Sequence, residues 1–327
     1  MTEPTSAVKQ QSWQSWLANA SLRRLVQVAV TVGAFWYLFS IVNTRELGQA
    51  LARVAPSAWL TAILLTSLSL ACGVLRWWLL FQAFGAARIP SLPTLGKYYL
   101  LGFFYNTYLP GGIGGDVVRG LASQNAWPPG SAGGFATVLV ERALGLTALL
   151  ALTATATLVH PLPGMAQLWL PACAAFVAVA GTTLALAISN RLAAFMPGAL
   201  RRLLERLPPP SAWPPLGAAL ALSLATQLSP ALCGYVLIHS IVPSVTLLDS
   251  LVIVPLASAA AFLPITISGA GVRETLFVAL YALVGVPAQA SLAASLALWL
   301  AQASVAAVGG MYMLVAKDPW RASATRS

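Results

Sequence analysis

Two segments, YLPGGIGGDVVR at 108–119 and FLPITISGAGVR at 262–273, each set an arginine just past a Pro/Gly interruption, and Leu, Pro, Ile, Gly, Val and Arg recur in them 154 positions apart. Proline withholds a backbone donor and glycine lets backbone amides approach a ligand closely, so Pro110, Gly111, Gly112 and Gly115 could cradle an anionic group. Arg119 and Arg273 add planar guanidinium groups, whose paired donors match phosphate oxygens. The chemistry on offer is capture of an anion, such as a lipid headgroup. The nucleotide alternative lacks both the lysine of a P-loop and the strand of a dinucleotide fingerprint.

Each arginine has an acidic neighbour. Asp116 and Arg119 are three residues apart and would share a helix face, which permits a local ion pair. Arg273 and Glu274 form the second pair, at the start of another apolar run. Both pairs could instead neutralise themselves at the membrane interface. Glu141 and Arg142 are adjacent within FATVLVERALGLTALL, and adjacent helical positions diverge, so each is expected to find a different partner. Glu141 is matched with Arg119 or Arg273, and Arg142 with Asp116 or a phosphate. The bland alternative for both is a structural network. Asn106 and Tyr108 precede the first break and can offer hydrogen bonds. Arg76, followed by Trp77 and Trp78, reads as an interfacial anchor with a snorkelling charge, and Lys97, Tyr98 and Tyr99 read similarly.

Other polar residues carry less. Asp249 opens the short segment before the second break, and Thr266 and Ser268 lie within that break, where satisfying freed backbone groups is their expected role. Gly269 matches Gly115 in register. His160 and His239 have no clustered partners, so no metal site is expected, and Cys72, Cys173 and Cys233 read as small packing residues. No cofactor is expected.

The elements that must position these groups are membrane helices. The chain is 58% hydrophobic and 8% charged, with a mean hydropathy of +0.79, which excludes an ordinary soluble domain and a disordered chain. Long apolar segments fall near 25–42, 58–84, 135–158, 167–188, 216–241 and 290–315, and shorter ones near 97–109, 247–263 and 272–286. The expected fold is an all-α, polytopic transmembrane bundle of about six long spans, with short or re-entrant helices around two Pro/Gly breaks and the matching breaks pointing to an internal repeat. The expected organisation is a cytoplasmic or interfacial segment at 1–24, a membrane domain at 25–315 and a basic tail at 316–327.

Basic residues orient it. Lys9, Arg23 and Arg24, then Arg191, Arg201, Arg202 and Arg206, then Lys317, Arg321 and Arg326, mark three stretches that should face the cytoplasm, placing both termini inside a cell membrane. A single full crossing between 97 and 134 would move the four-arginine connector outside, so a segment that returns around Pro110 to Gly115 is favoured. The net charge of +10 is explained by this topology and by anionic lipids, and no nucleic-acid partner is expected. Gly145, Gly181 and Gly309 could support close packing within one chain or in a homo-oligomer.

Taken together, YYLLGFFYNTYLPGGIGGDVVRG, VLVERALGL and PITISGAGVRETL resemble the flippase-like integral membrane family related to the transmembrane region of lysylphosphatidylglycerol synthase, over roughly 25–315. The resemblance implies translocation of a phospholipid or other lipid-linked anionic substrate between leaflets, with membrane lipid as the partner. It places Pro110, Gly111, Gly112, Gly115, Asp116, Arg119, Glu141, Arg142, Gly269, Gly271, Arg273 and Glu274 at the family's characteristic positions. The short tail leaves no expected place for the synthases' soluble transferase domain, so a transporter rather than an enzyme is expected. The alternatives are a scaffold or accessory subunit of a cell-envelope lipid or glycan pathway and, less favoured, a membrane-embedded lipid-modifying enzyme using Asp116 or Glu141 as acid or base.

Overall fold

The structure, a computed structural model, describes residues 20–108, 114–164, 173–177, 179–181, 184, 211–259 and 270–315, and the elements among them are helical. In chain order these include α1 (Ala20–Ile41), α2 (Thr44–Ala52), α3 (Pro56–Ala83), α4 (Leu92–Tyr108), α5 (Gly114–Ser123), α6 (Gly133–Val159), α7 (Trp213–Ile241), α8 (Leu247–Ala259), α9 (Val272–Ala282) and α10 (Ala288–Val315). Among the described residues four helices, α3, α6, α7 and α10, are long and apolar enough to cross a bilayer, where six were expected. The expected span at 25–42 becomes α1, whose described apolar stretch, Val28–Ile41, is shorter than a bilayer requires. The one at 167–188 falls largely outside the described residues, as do Pro110, Gly111, Gly112, Thr266, Ser268, Gly269 and the basic connector at 191–206.

Local sequence explains where the long helices begin and bend. Pro56 occupies the first turn of α3, where an absent N–H leaves no bond unmade, and Gly85 at φ 64° lets the chain leave after Ala83. In α7, Pro230 cannot donate to the carbonyl of Thr226 four residues earlier. That carbonyl instead accepts from Ser69 Oγ of α3 at 3.3 Å.

The same seam continues along both helices. Ser229 Oγ donates to Leu65 O (2.7 Å), Cys233 Sγ to Ala62 O (3.4 Å) and Ser211 N to Ala83 O (2.6 Å). Rising numbers on α7 meet falling numbers on α3, so the two run antiparallel. Away from the seam, Leu60, Leu64 and Leu68 of α3 are exposed at four-residue spacing, an apolar stripe suited to lipid.

The helices flanking each break lie alongside one another, and each such pair is termed a hairpin. Asn106 Oδ1 accepts from Gly115 N at 2.8 Å, and Gly102 lies against both Gly115 and Arg119, so α5 doubles back along α4. A Cβ at Gly115 would strike the Gly102 carbonyl, which is why the helices can meet backbone to backbone there. In the second hairpin Ser250, near the start of α8, meets Tyr281, near the end of α9, at 2.9 Å.

Of three apolar clusters among the described residues, two lie along α3. One joins Ala58, Ala62, Leu237, Val252, Phe277, Tyr281 and Leu298, and the other joins Trp77, Leu80, Phe81, Leu95, Trp127 and Leu144. Along α3 they are separated by a polar band from Thr66 to Arg76, and the candidate site occupies that band.

Candidate functional site in the membrane interior

Arg76 of α3, Arg119 of α5 and Glu141 of α6 are 7%, 6% and 3% exposed and form one ion-paired triad. Glu141 Oε1 accepts from Arg76 Nη2 at 2.6 Å and from the Tyr99 hydroxyl at 2.9 Å, while its other oxygen pairs with Arg119 Nη2. Arg76 also donates through Nη1 to Ser223 Oγ (3.2 Å) and Thr226 Oγ1 (3.0 Å) of α7. The Arg119 guanidinium lies between two rings, 4.6 Å from the Trp77 centroid and 4.4 Å from that of Tyr99. Ring faces attract a cation most strongly where water is excluded, so Trp77 and Tyr99 hold Arg119 at its carboxylate.

Beside the triad, Arg142 Nε pairs with Asp116 Oδ2 at 2.7 Å, and Asn106 Nδ2 donates to Asp116 Oδ1 at 3.3 Å. Of the pairings open to them, Asp116 and Arg119 do not take the local one with each other: they pair with Arg142 and Glu141, as the adjacent charges of α6 suggested. Consecutive residues on α6 point about 100° apart and so reach different faces of α5. Among the described residues, three guanidinium groups thus face two carboxylates here. Arg76 and Arg119 each keep a buried Nε without a partner.

These groups line two adjoining cavities. A cavity of 170 Å³ is bounded by Asn106, Asp116, Arg119, Glu141, Arg142 and Gly145, together with Arg76, Tyr99, Phe103 and Gln227. A second, of 230 Å³, shares the last four and extends along the α3–α7 seam past Thr66, Ser69, Thr226 and Ser229 to Gln302 of α10. Arg76 lies seven residues before the end of α3 and Glu141 eight after the start of α6. At 1.5 Å per residue the charges sit roughly 10–12 Å in from those helix ends.

Several residues singled out by sequence stand elsewhere. Arg273 and Glu274 pair with each other (Nε to Oε1, 3.0 Å), and Glu274 Oε2 accepts from Gly271 N at 2.7 Å, capping α9. Gly271 takes φ 83°, and a Cβ there would meet Ala34 of α1. Tyr108 turns away from the cavities and donates to Ala303 O of α10 at 2.9 Å.

Arg76 and Tyr99 require correction: neither is an interfacial anchor, since both point into the bundle at Glu141. The tryptophans after Arg76 suggested a boundary, yet Trp77 is fully buried beneath Arg119. The signal that could have exposed this lies in α7, where Ser223, Thr226 and Gln227 occupy one face at i, i+3 and i+4 of an otherwise apolar helix. His160, expected to lack partners, meets Asp249 at 2.8 Å, and Asp249 also accepts from Thr246. Among the described residues no three His, Cys, Asp or Glu side chains gather as a metal site requires.

A multi-pass helical membrane protein with an ion-paired, cavity-lining polar centre is the class defined by fold and site. The family model described as the lysylphosphatidylglycerol synthase transmembrane region matches residues 24–310, and the chain belongs to that family. Comparison with curated proteins finds no match.

Proposed function

We propose that the protein carries an anionic lipid headgroup between membrane leaflets, with the acyl chains remaining in lipid. The observation that carries this reading is the triad itself: two buried arginines share one carboxylate at the edge of a cavity. Intramembrane charges are costly unless they face partners or a hydrated path. Here the partners are arranged so that a phosphate could replace Glu141 on either guanidinium. Asp116 and Arg142 stand at the same cavity and could admit a headgroup by opening their more exposed pair. Asn106 steadies Asp116, and Gly115 allows the close approach of α5 that puts Arg119 in place.

The order of helices supports a mechanism. A long, a short, a short and a long helix run from α3 to α6, and the same order runs from α7 to α10. Since α3 and α7 are antiparallel, we read the two sets as an inverted repeat, a plan that permits one half to rock against the other and expose a central site to each side in turn. By the distribution of lysine and arginine, both termini and the end of α3 at Ala83 face the cytoplasm.

The test is headgroup accessibility over time in proteoliposomes carrying labelled anionic phospholipids. Replacing Arg119 with Ala removes a charge-assisted contact worth about 1.5–3 kcal/mol, so transfer should fall by roughly 10- to 100-fold. Unchanged transfer by folded Arg119→Ala protein would refute its role, and no transfer by the intact protein of any anionic lipid would refute the proposal.

A further inference from the structure

Two guanidinium groups meet Glu141, and the bundle holds them in different ways. Ser223 Oγ and Thr226 Oγ1 have each spent their single hydrogen on their own helix, donating to Ala219 O (2.9 Å) and Ser223 O (2.8 Å), so towards Arg76 Nη1 they can only accept. Arg76 Nη2 completes this cage on Glu141 Oε1. Among the described residues Arg119 has one hydrogen-bond partner, Glu141 Oε2, and is otherwise gripped by the ring faces of Trp77 and Tyr99. A guanidinium stacked between two rings keeps its edge available, so its donors can change partner while the ring contacts persist. Arg119 is therefore the arginine that can leave.

The carboxylate left behind needs a holder, because a buried charge that loses its partners is costly. Glu141 Oε1 has two donors, Arg76 Nη2 and the Tyr99 hydroxyl, whereas Oε2 has Arg119. Tyr99 thus serves both charges, with its ring against Arg119 and its hydroxyl on Glu141. Helix α3 is shaped to admit that hydroxyl. At Gly73, three residues before Arg76, an added Cβ would overlap the Tyr99 hydroxyl and the ring carbon that bears it, so the missing side chain lets the tyrosine reach Glu141.

We propose that Tyr99 is a positioning residue for ligand exchange: its hydroxyl, with Arg76, keeps Glu141 in place while Arg119, still stacked on the Tyr99 ring, turns its donors from Glu141 to an incoming phosphate group. This inference rests on the lipid-transfer reading. The exchange is a swap of hydrogen bonds, and the hydroxyl donates to the same oxygen before and after it. Its contribution is greater after the swap, when Glu141 keeps two donors where it had three.

The test uses the full chain purified in detergent and reads the concentration of short-chain phosphatidic acid, and separately of inorganic phosphate, that gives half of the maximal thermal stabilisation. Transfer of labelled phosphatidic acid in proteoliposomes is measured beside it. Tyr99→Phe keeps the ring against Arg119 and removes only the hydroxyl. It should raise the half-stabilising concentration of the lipid about fivefold, the factor that one net hydrogen bond of about 1 kcal/mol represents, with the maximal stabilisation kept. Gly73→Ala, at a position that lines neither cavity, displaces the same hydroxyl and should shift that concentration in the same direction. A folded Tyr99→Phe protein that melts lower but has an unchanged half-stabilising concentration would make Tyr99 a purely structural residue and overturn the inference. The expected shifts with no lipid crossing by the intact protein would leave the role of Tyr99 standing and remove the transfer reading, as would the same shifts for inorganic phosphate alone. An intact, folded protein that binds neither probe loses both.

Discussion

The two hairpins begin from matching sequence and end with opposite electrostatics. In α4–α5, Arg119 and Asp116 find their counter-charges on another helix, α6, and through Glu141 the network extends to Arg76 on α3. In α8–α9, Arg273 and Glu274 satisfy each other's charge, and the carboxylate also caps its own helix and accepts from the neutral Ser295 Oγ of α10 at 3.4 Å. A locally closed pair behaves as part of the fold. A pair closed across helices ties their positions together, and it can be reopened by a competing charge. The difference teaches that an arginine after a Pro/Gly break becomes a functional candidate through the distance to its partner along the chain.

The largest effect should come from Glu141→Gln. It leaves Arg76 and Arg119 facing each other in the bilayer, and breaking a buried pair on one side costs about 3–5 kcal/mol. Thermal unfolding in detergent should show a smaller loss, about 1–3 kcal/mol, for Glu274→Gln, because a glutamine oxygen can still accept from Gly271 N and a single, partly exposed arginine loses its counter-charge where Glu141→Gln strands two. Equal losses would erase the distinction between remote and local pairing.

Next in size is transfer itself. Arg273→Ala should retain lipid transfer to within roughly threefold, against the 10- to 100-fold fall expected for Arg119→Ala, with the contrast set by a charge-assisted hydrogen bond. Parallel proteoliposome assays decide it, and similar losses at both positions would mean that the hairpins work as equals.

Backbone approach gives a third contrast. Gly115→Ala forces a methyl against the Gly102 carbonyl and should cost about 1–3 kcal/mol by overpacking. Gly271→Ala adds positive-φ strain to a contact with Ala34, so it should also destabilise, measured in the same melts, but without selectively loosening Arg119. The smallest effect belongs to Arg142→Gln, whose side chain is 42% exposed, and whose stability change should stay under about 1 kcal/mol. A larger loss would place Arg142 within the buried network.

Much of this centre was legible from sequence. Glu141 and Arg142 sit side by side in an apolar helix, and divergence by one residue's rotation required two partners, found in Arg119 and Asp116. Four of the long apolar segments are helices of bilayer length. Arg76 and Tyr99 were misread because residue order places them beside aromatic residues typical of an interface. Only the docking of α6 and α7 around α3 and α4 turns them inward, and that docking depends on contacts 42 to 150 residues apart. Arg273 and Glu274 show the reverse: their pairing is local and was visible, whereas their separation from the cavities is a property of the packed bundle.

The span between Arg76 and its partner also has a history in time. Arg76 is synthesised 65 residues before Glu141 and 147 before Ser223. At roughly 5–20 residues per second, α3 waits several seconds in the membrane with its guanidinium unmatched. An arginine at a helix centre costs about 2.5–3.5 kcal/mol during insertion. The offset is already built into α3, whose most apolar 18-residue window has a mean hydropathy of 2.0, the highest such window among the four long spans. An insertion assay on chains ending before Glu141 should therefore find α3 fully integrated on its own. Failure to integrate would mean that this helix enters the bilayer only together with the later one that neutralises it.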